Sequence, residues 1–217
     1  MTLHFNGHPV EVPQDTSLLD AALHAGIRIP TLCHDPRLAP GATCRMCLVQ
    51  VDGLPQPVPA CSTPGKDGWN IETHTPDLME TRRTLLEWMA TGYPADLINA
   101  FPEKPFHQLL REAGIHPAPA PATPAFIDRS HPHFIADMSR CITCFRCINI
   151  CEQVQGLDVW HALGRGKSTR IVPNGPTLME SSCVSCGACE PCRRATPRDS
   201  YCRTRHARRP PRGRRRS

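Results

Sequence analysis

Cys141-Ile142-Thr143-Cys144-Phe145-Arg146-Cys147-Ile148-Asn149-Ile150-Cys151 is the stretch on which the reading of this chain turns. Three cysteines, each two residues from the next, put three thiolates on one side of a tight loop, where they can wrap one face of a four-iron cubane. The fourth, after a three-residue gap, points away from that face. The run recurs as Cys183-Val184-Ser185-Cys186-Gly187-Ala188-Cys189. Where two such runs share a domain, the last cysteine of each ligates the cluster of the other. Cys151 therefore belongs with Cys183, Cys186 and Cys189. By the same rule Cys141, Cys144 and Cys147 need a cysteine at position 193, which is Arg193, while Cys192 comes one residue early. Cys192 is assigned as that fourth ligand, with Cys202 or an incomplete cubane as the alternatives. The reading is two [4Fe–4S] clusters.

A second set lies upstream: Cys33, Cys44, Cys47 and Cys61, with ten, two and thirteen residues between them. By ligand count alone, four thiolates suit a [2Fe–2S] cluster or a tetrahedral zinc ion equally well. Gly41, Ala42 and Thr43 are small and let backbone amides approach the sulfurs, and such bonds tune an iron–sulfur potential. The spacing departs from the plant-type pattern of four residues and then two. His34 stands beside Cys33, but a full four-cysteine shell leaves it no vacancy.

Around these sets the chain divides readily. Residues 1–75 read as a small α+β domain. Thr2 to Phe5 alternates, Asn6-Gly7 is a hairpin turn, and Pro9 to Val12 alternates again. A helix capped by Asp15, Thr16 or Ser17 runs through Leu18, Leu19, Ala22 and Leu23 to a stop at Gly26, and Cys47 to Val51 reads as a further strand. Residues 76–115 read as a helical link, capped by Thr75 with Pro76 at its first position. Its stripe of Leu78, Met79, Leu85, Leu86 and Met89, interrupted by Arg82, is a core-facing one. Residues 116–125 form a stiff Pro/Ala linker. The two cubane runs fall in a domain spanning 126–192. Residues 193–217 are an arginine-rich tail, read as disordered because it has almost nothing to bury.

Composition agrees with small domains built around metal. Of 217 residues, 13 are cysteine and 24 proline while only 5% are aromatic, so no large aromatic core is available. Thirteen is odd, which suits free metal-binding thiols better than a set of disulfides. The net charge of +5 is misleading. Residues 190–217 carry +9 and residues 1–189 carry −4, so the body is mildly acidic. No signal sequence, membrane span, dinucleotide fingerprint, phosphate loop or Gly-x-Ser-x-Gly elbow is present. The expected compartment is the cytoplasm, where thiols stay reduced.

The order Cys33, Cys44, Cys47, Cys61, then Cys141 to Cys151, then Cys183 to Cys189 resembles the N-terminal iron–sulfur region of the large iron–sulfur subunit of NADH-quinone oxidoreductase. It is similar also to NAD-linked formate dehydrogenase alpha subunits and to iron hydrogenases. Ile29-Pro30-Thr31-Leu32-Cys33-His34, Cys151-Glu152-Gln153-Val154-Gln155-Gly156 and Cys183-Val184-Ser185-Cys186-Gly187-Ala188-Cys189 carry the likeness. The resemblance implies an electron wire: a β-grasp [2Fe–2S] domain, a helical link, and a two-cluster ferredoxin-like domain feeding a molybdopterin catalytic domain. It implies diaphorase-type flavin/NADH subunits as partners. Most relatives bind a further [4Fe–4S] cluster through one His and three Cys in the link. Here Tyr93, Leu97, Ala100 and Phe106 stand at those places, so that cluster is not expected, and His107 is read as an ordinary helix residue. After Cys189 the family pattern also breaks down, and we read residues from about 190 onward as a frameshifted end that stops short of the catalytic domain.

Two functions follow from different classes. The first is an iron–sulfur electron-transfer module with no catalytic residue of its own. The second is a zinc-binding module that holds nucleic acid through the arginine tail, with a binding strength that falls as salt rises. Compact three-cysteine runs do not fit the paired-cysteine geometry of zinc ribbons, so nucleic acid is not the expected partner.

Overall fold

The computed structural model describes residues 1–117, 127–132 and 135–189. Cys192, Cys202, the tail at 193–217 and most of the linker at 116–125 lie outside the described residues.

The N-terminal sheet starts from a hairpin. Strands β1 (Thr2–Phe5) and β2 (His8–Glu11) pair antiparallel with Leu3 opposite Val10, joined by Asn6 and Gly7 at φ 50° and 83°. Two left-handed residues make the turn whose twist matches that of the strands. Strands β3 (Leu48–Val51), β4 (Val58–Pro59) and β5 (Asn70–Glu72) complete a mixed sheet in the order β2-β1-β5-β3-β4, with β1 and β5 parallel at its centre. The strand expected from Cys47 begins at Leu48, which leaves Cys47 in the metal loop.

Helix α1 (Leu18–His24) lies against this sheet. Of the three candidate caps, Ser17 does the work: its hydroxyl accepts from the Asp20 backbone N–H and donates to the Asp20 carboxylate. Leu18, Leu19, Ala21 and Ala22 pack with Leu3, Phe5, Val49, Val51 and Ile71 in one apolar core, whereas Leu23 is exposed.

The helical link comprises three helices. Helix α2 (Pro76–Ala90) is capped by the Thr75 hydroxyl, and it ends where Gly92 turns left-handed ahead of Pro94. Short α3 (Asp96–Ala100) and α4 (Pro105–Glu112) follow; Pro102 lies between them, and Pro105 opens α4 at its first position, where no backbone N–H is needed. The buried line of α2 is Leu78, Arg82, Leu86 and Ala90, at strict four-residue intervals. Met79, counted into the stripe by sequence, is exposed.

The C-terminal part holds two short hairpins, β6 (Ile127–Asp128) with β7 (Ala136–Asp137), and β8 (Trp160–Leu163) with β9 (Arg170–Pro173). Between them lie α5 (Arg146–Ile150) and a π-helical turn over Cys151–Gln155. Ala136, Val159, Trp160, Ile171 and Leu178 form the core, with Cys147 and Cys151 among them.

Candidate metal centres

All four upstream cysteines are buried, and they come together as two pairs. The Cys33 and Cys44 sulfurs are in hydrogen-bond contact, as are those of Cys47 and Cys61. In each pair one thiol donates to the other. That contact pulls Cys33 down to about 5 and lowers Cys61, while their partners Cys44 and Cys47 are pushed up. Backbone N–H groups nearby, those of Thr43 and Cys44 at Cys33, Met46 and Cys33 at Cys44, Cys61 at Cys47 and Ala42 at Cys61, act to lower each thiol's pKa. The Cys44 N–H to Cys33 Sγ and Cys33 N–H to Cys44 Sγ distances are 3.5 and 3.4 Å.

The loop achieves this by strain. Ala42 and Arg45 take φ of 47° and 56°, a conformation that side chains with a Cβ disfavour. Turning single residues left-handed curls successive N–H groups into a concave nest that suits an anion. Among the described residues no three Cys, His, Asp or Glu side chains gather around one point as a single ion requires. Paired thiols fit a two-iron centre, each iron taking two protein sulfurs, better than one tetrahedral ion. His34, beside Cys33, has its Nδ1 buried and, among the described residues, without a hydrogen-bond partner.

The downstream runs share one backbone design. Thr143 and Phe145 take φ of 51° and 61°, and Ser185 and Gly187, at the same places in their run, take 58° and 70°. Each run thus turns left-handed at the same two positions, between the same cysteines. The sequence gives no sign that Thr143, Phe145 and Ser185 would adopt this conformation. Thr143 N–H reaches Cys141 Sγ at 3.4 Å.

Cys151 lines a recess together with Cys183, Cys186 and Cys189. Leu157, Val159 and Trp160 supply much of the remaining wall. Burial pushes the Cys151 thiol up, opposed by the Val159 N–H, with the Cys186 and Cys183 charges adding to the rise. The fourth partner of Cys141, Cys144 and Cys147 lies outside the described residues.

The upstream site and the first downstream run are neighbours. Asp35 is 4% exposed and ion-pairs with Arg37 at 2.8 Å and, across the domains, with Arg146 at 2.9 Å. Both arginines hold its carboxyl well below the usual range, with Arg37 the larger cause. The Ala39 N–H donates to Gln153 Oε1 at 2.9 Å. At Gly41 a Cβ would come within 3.3 Å of the Asn149 side chain, so the loops meet closely. Ile142 and Cys144 pack on the same core as Cys33, Cys44 and Met46.

In the link, Tyr93, Leu97 and Phe106 are buried and Ala100 is exposed. Tyr93 and Phe106 meet edge to face at 5.1 Å. His107 lies on α4 and is fully buried, with Nε2 2.7 Å from the Tyr93 hydroxyl and Nδ1 2.7 Å from the Phe101 carbonyl. A carbonyl only accepts, so Nδ1 carries the proton and Tyr93 donates to Nε2. Tyr93, Phe106 and His107 thus form one packed, hydrogen-bonded group in the link.

Residues 1–76 match the family of 2Fe-2S iron-sulfur cluster binding domains, and residues 132–186 match the ferredoxin-like domain of NADH-quinone oxidoreductase subunit 3. One component of a NADH-quinone oxidoreductase from Rhizobium meliloti is 33% identical over 87% of this chain and 22% of its own length. The alpha subunit of a NADPH-Fe(3+) oxidoreductase from Geobacter sulfurreducens is 30% identical over 87% of this chain and 23% of its own. This chain thus spans less than a quarter of these two relatives. A crystal structure of an NAD+-reducing [NiFe]-hydrogenase superposes with a TM-score of 0.67 at 26% identity, over 84% of this chain and 79% of the other. Among the described residues no helix is long and apolar enough to cross a membrane.

Proposed function

We propose a three-cluster electron wire for this chain, starting from the family to which its two matched domains assign it, the iron–sulfur electron-transfer modules of NADH-quinone oxidoreductases and related hydrogenase complexes. The first domain, a β-grasp, holds one [2Fe–2S] cluster on Cys33, Cys44, Cys47 and Cys61. The second holds two [4Fe–4S] clusters, one on Cys151, Cys183, Cys186 and Cys189, the other on Cys141, Cys144, Cys147 and Cys192. When bound, each cluster accepts and returns a single electron. The chain supplies position and environment. Thr43, Cys44, Met46, Cys61 and Ala42 present N–H groups that stabilise sulfur charge, and Leu32, Met46 and Leu86 help to exclude water. Asp35, Arg146 and Gln153 keep the two loops together, and the core around Ile142 and Cys144 lies between the residues that would hold the two clusters. With Tyr93, Leu97, Ala100 and Phe106 in the link, no further cluster is interposed.

The observation that carries this reading is the recess shared by Cys151 with a run that begins 32 residues later. No surface or spacing favours the zinc reading as strongly. The partners are diaphorase-type flavin/NADH subunits on one side and a molybdopterin catalytic domain or subunit on the other, in the cytoplasm. Anaerobically purified protein should be brown and carry about ten iron and about ten acid-labile sulfide per chain. Colourless protein with zinc instead would overturn the proposal. A Cys151→Ser variant should lose the signal of one [4Fe–4S] cluster in electron paramagnetic resonance and keep that of the [2Fe–2S] cluster. A change confined to the [2Fe–2S] signal would refute the crossed assignment.

A further inference from the structure

Arg82 occupies the middle of the buried line of α2, between Leu78 and Leu86, where a helix that had only to pack would carry an apolar side chain. It is 4% exposed. Its guanidinium donates from Nε to the Met46 carbonyl at 3.0 Å, from Nη2 to the Leu48 carbonyl at 2.7 Å, and from Nη1 to the Thr73 carbonyl at 2.9 Å. Met46 and Leu48 flank Cys47, so two arms of one planar fork fix the backbone on both sides of that cysteine. Three carbonyls, with the Met79 sulfur 3.7 Å from Nη1, take up donors of the guanidinium but do not neutralise its charge. Among the described residues Arg82 forms no ion pair with any Asp or Glu. A buried charge left without a counter-charge is strongly disfavoured, so this site needs an anion.

We infer that the anion is the [2Fe–2S] centre itself, and that Arg82 is a positioning and potential-setting residue for it: the fork fixes the Cys47 segment and the positive charge favours the reduced centre. The inference rests on the reading that Cys33, Cys44, Cys47 and Cys61 hold this cluster. Burial lowers the guanidinium pKa, and Cys47 is the neighbouring charge that raises it again. Reduction adds one electron and therefore one negative charge near the guanidinium. A cation at short range through protein of low dielectric stabilises that added charge, which raises the potential. The effect is local, because the two downstream runs lie on another domain.

Arg82→Gln keeps a donor and removes the charge, while Arg82→Lys keeps the charge and loses the fork. Full-length protein with its clusters is titrated anaerobically while the [2Fe–2S] signal is followed by electron paramagnetic resonance. The expected result is a midpoint potential shifted to more negative values in Arg82→Gln, a value close to that of the parent protein in Arg82→Lys, and no movement of the [4Fe–4S] potentials in either. An unchanged potential in Arg82→Gln, or an equal shift in Arg82→Lys, overturns the inference. If Arg82→Gln does not retain the [2Fe–2S] cluster, retention by Arg82→Lys supports the counter-ion role, and loss from both overturns it. Absence of a [2Fe–2S] signal from the parent protein would instead refute the underlying reading.

Discussion

His107 and Tyr93 show what a single residue can hide from sequence reading. The sequence marks His107 only as an ordinary helix residue, and its buried hydrogen bond to the carbonyl of Phe101, six residues upstream, is one that no periodicity reveals. The positions of Tyr93, Leu97 and Phe106 were legible by resemblance, but the hydrogen bond that joins Tyr93 to His107 was not. Tyr93→Phe keeps the ring packing and leaves a buried Nε2 acceptor without its donor, so it should cost about 1–3 kcal/mol, measured by chemical denaturation of the cluster-loaded protein. Burial is the main cause that lowers the His107 pKa, with the Phe101 carbonyl opposing it. Its folded-state value therefore lies below its unfolded one near 6.5. The stability contributed by the neutral ring is complete above that unfolded value and is lost as pH falls through the folded one. Between about pH 8 and about pH 5 the parent protein should accordingly lose more unfolding free energy than His107→Gln, and equal losses would contradict the sign of this shift.

At the scale of elements, cysteine spacing gave away the loops, and capping signals gave away α1 and α2. The missing part was the backbone between the cysteines. Thr143, Phe145 and Ser185 take left-handed φ although none is glycine, because the loop must aim its amides inward, and only Gly187 carries a residue type that advertises this. Phe145→Gly should therefore leave both [4Fe–4S] signals in place. Gly187→Val puts a β-branched side chain at φ 70° and should cost about 1–3 kcal/mol, with a fall in [4Fe–4S] content measured by visible absorbance. In the helical link the apolar stripe was legible, but the breaks at Pro94 and Pro102 were not read, and the charged member of the stripe turned out to be among its most buried. Thr75→Ala removes the α2 cap and should cost about 1 kcal/mol by the same denaturation measurement.

Across the whole molecule, the contact that joins the two metal-bearing domains links residues 111 positions apart and had no signature in the sequence. Asp35 sits two residues beyond Cys33, and Arg146 lies between Cys144 and Cys147, so one carboxylate ties together the loops of two neighbouring centres. Asp35→Ala should remove about 1–3 kcal/mol of domain–domain interaction and weaken the magnetic coupling between the [2Fe–2S] and nearest [4Fe–4S] signals, while leaving cluster content unchanged. Retained coupling would show that the domains stay docked by other means. The proposed ligation of the later run's cluster by Cys151, with which it shares a recess, has a consequence for how the molecule is made. As the chain leaves the ribosome, Cys151 emerges well before Cys183, Cys186 and Cys189. On that proposal the earlier run waits with a thiol to spare and the later one cannot be finished without it, so maturation of the two halves is interlocked like a clasp.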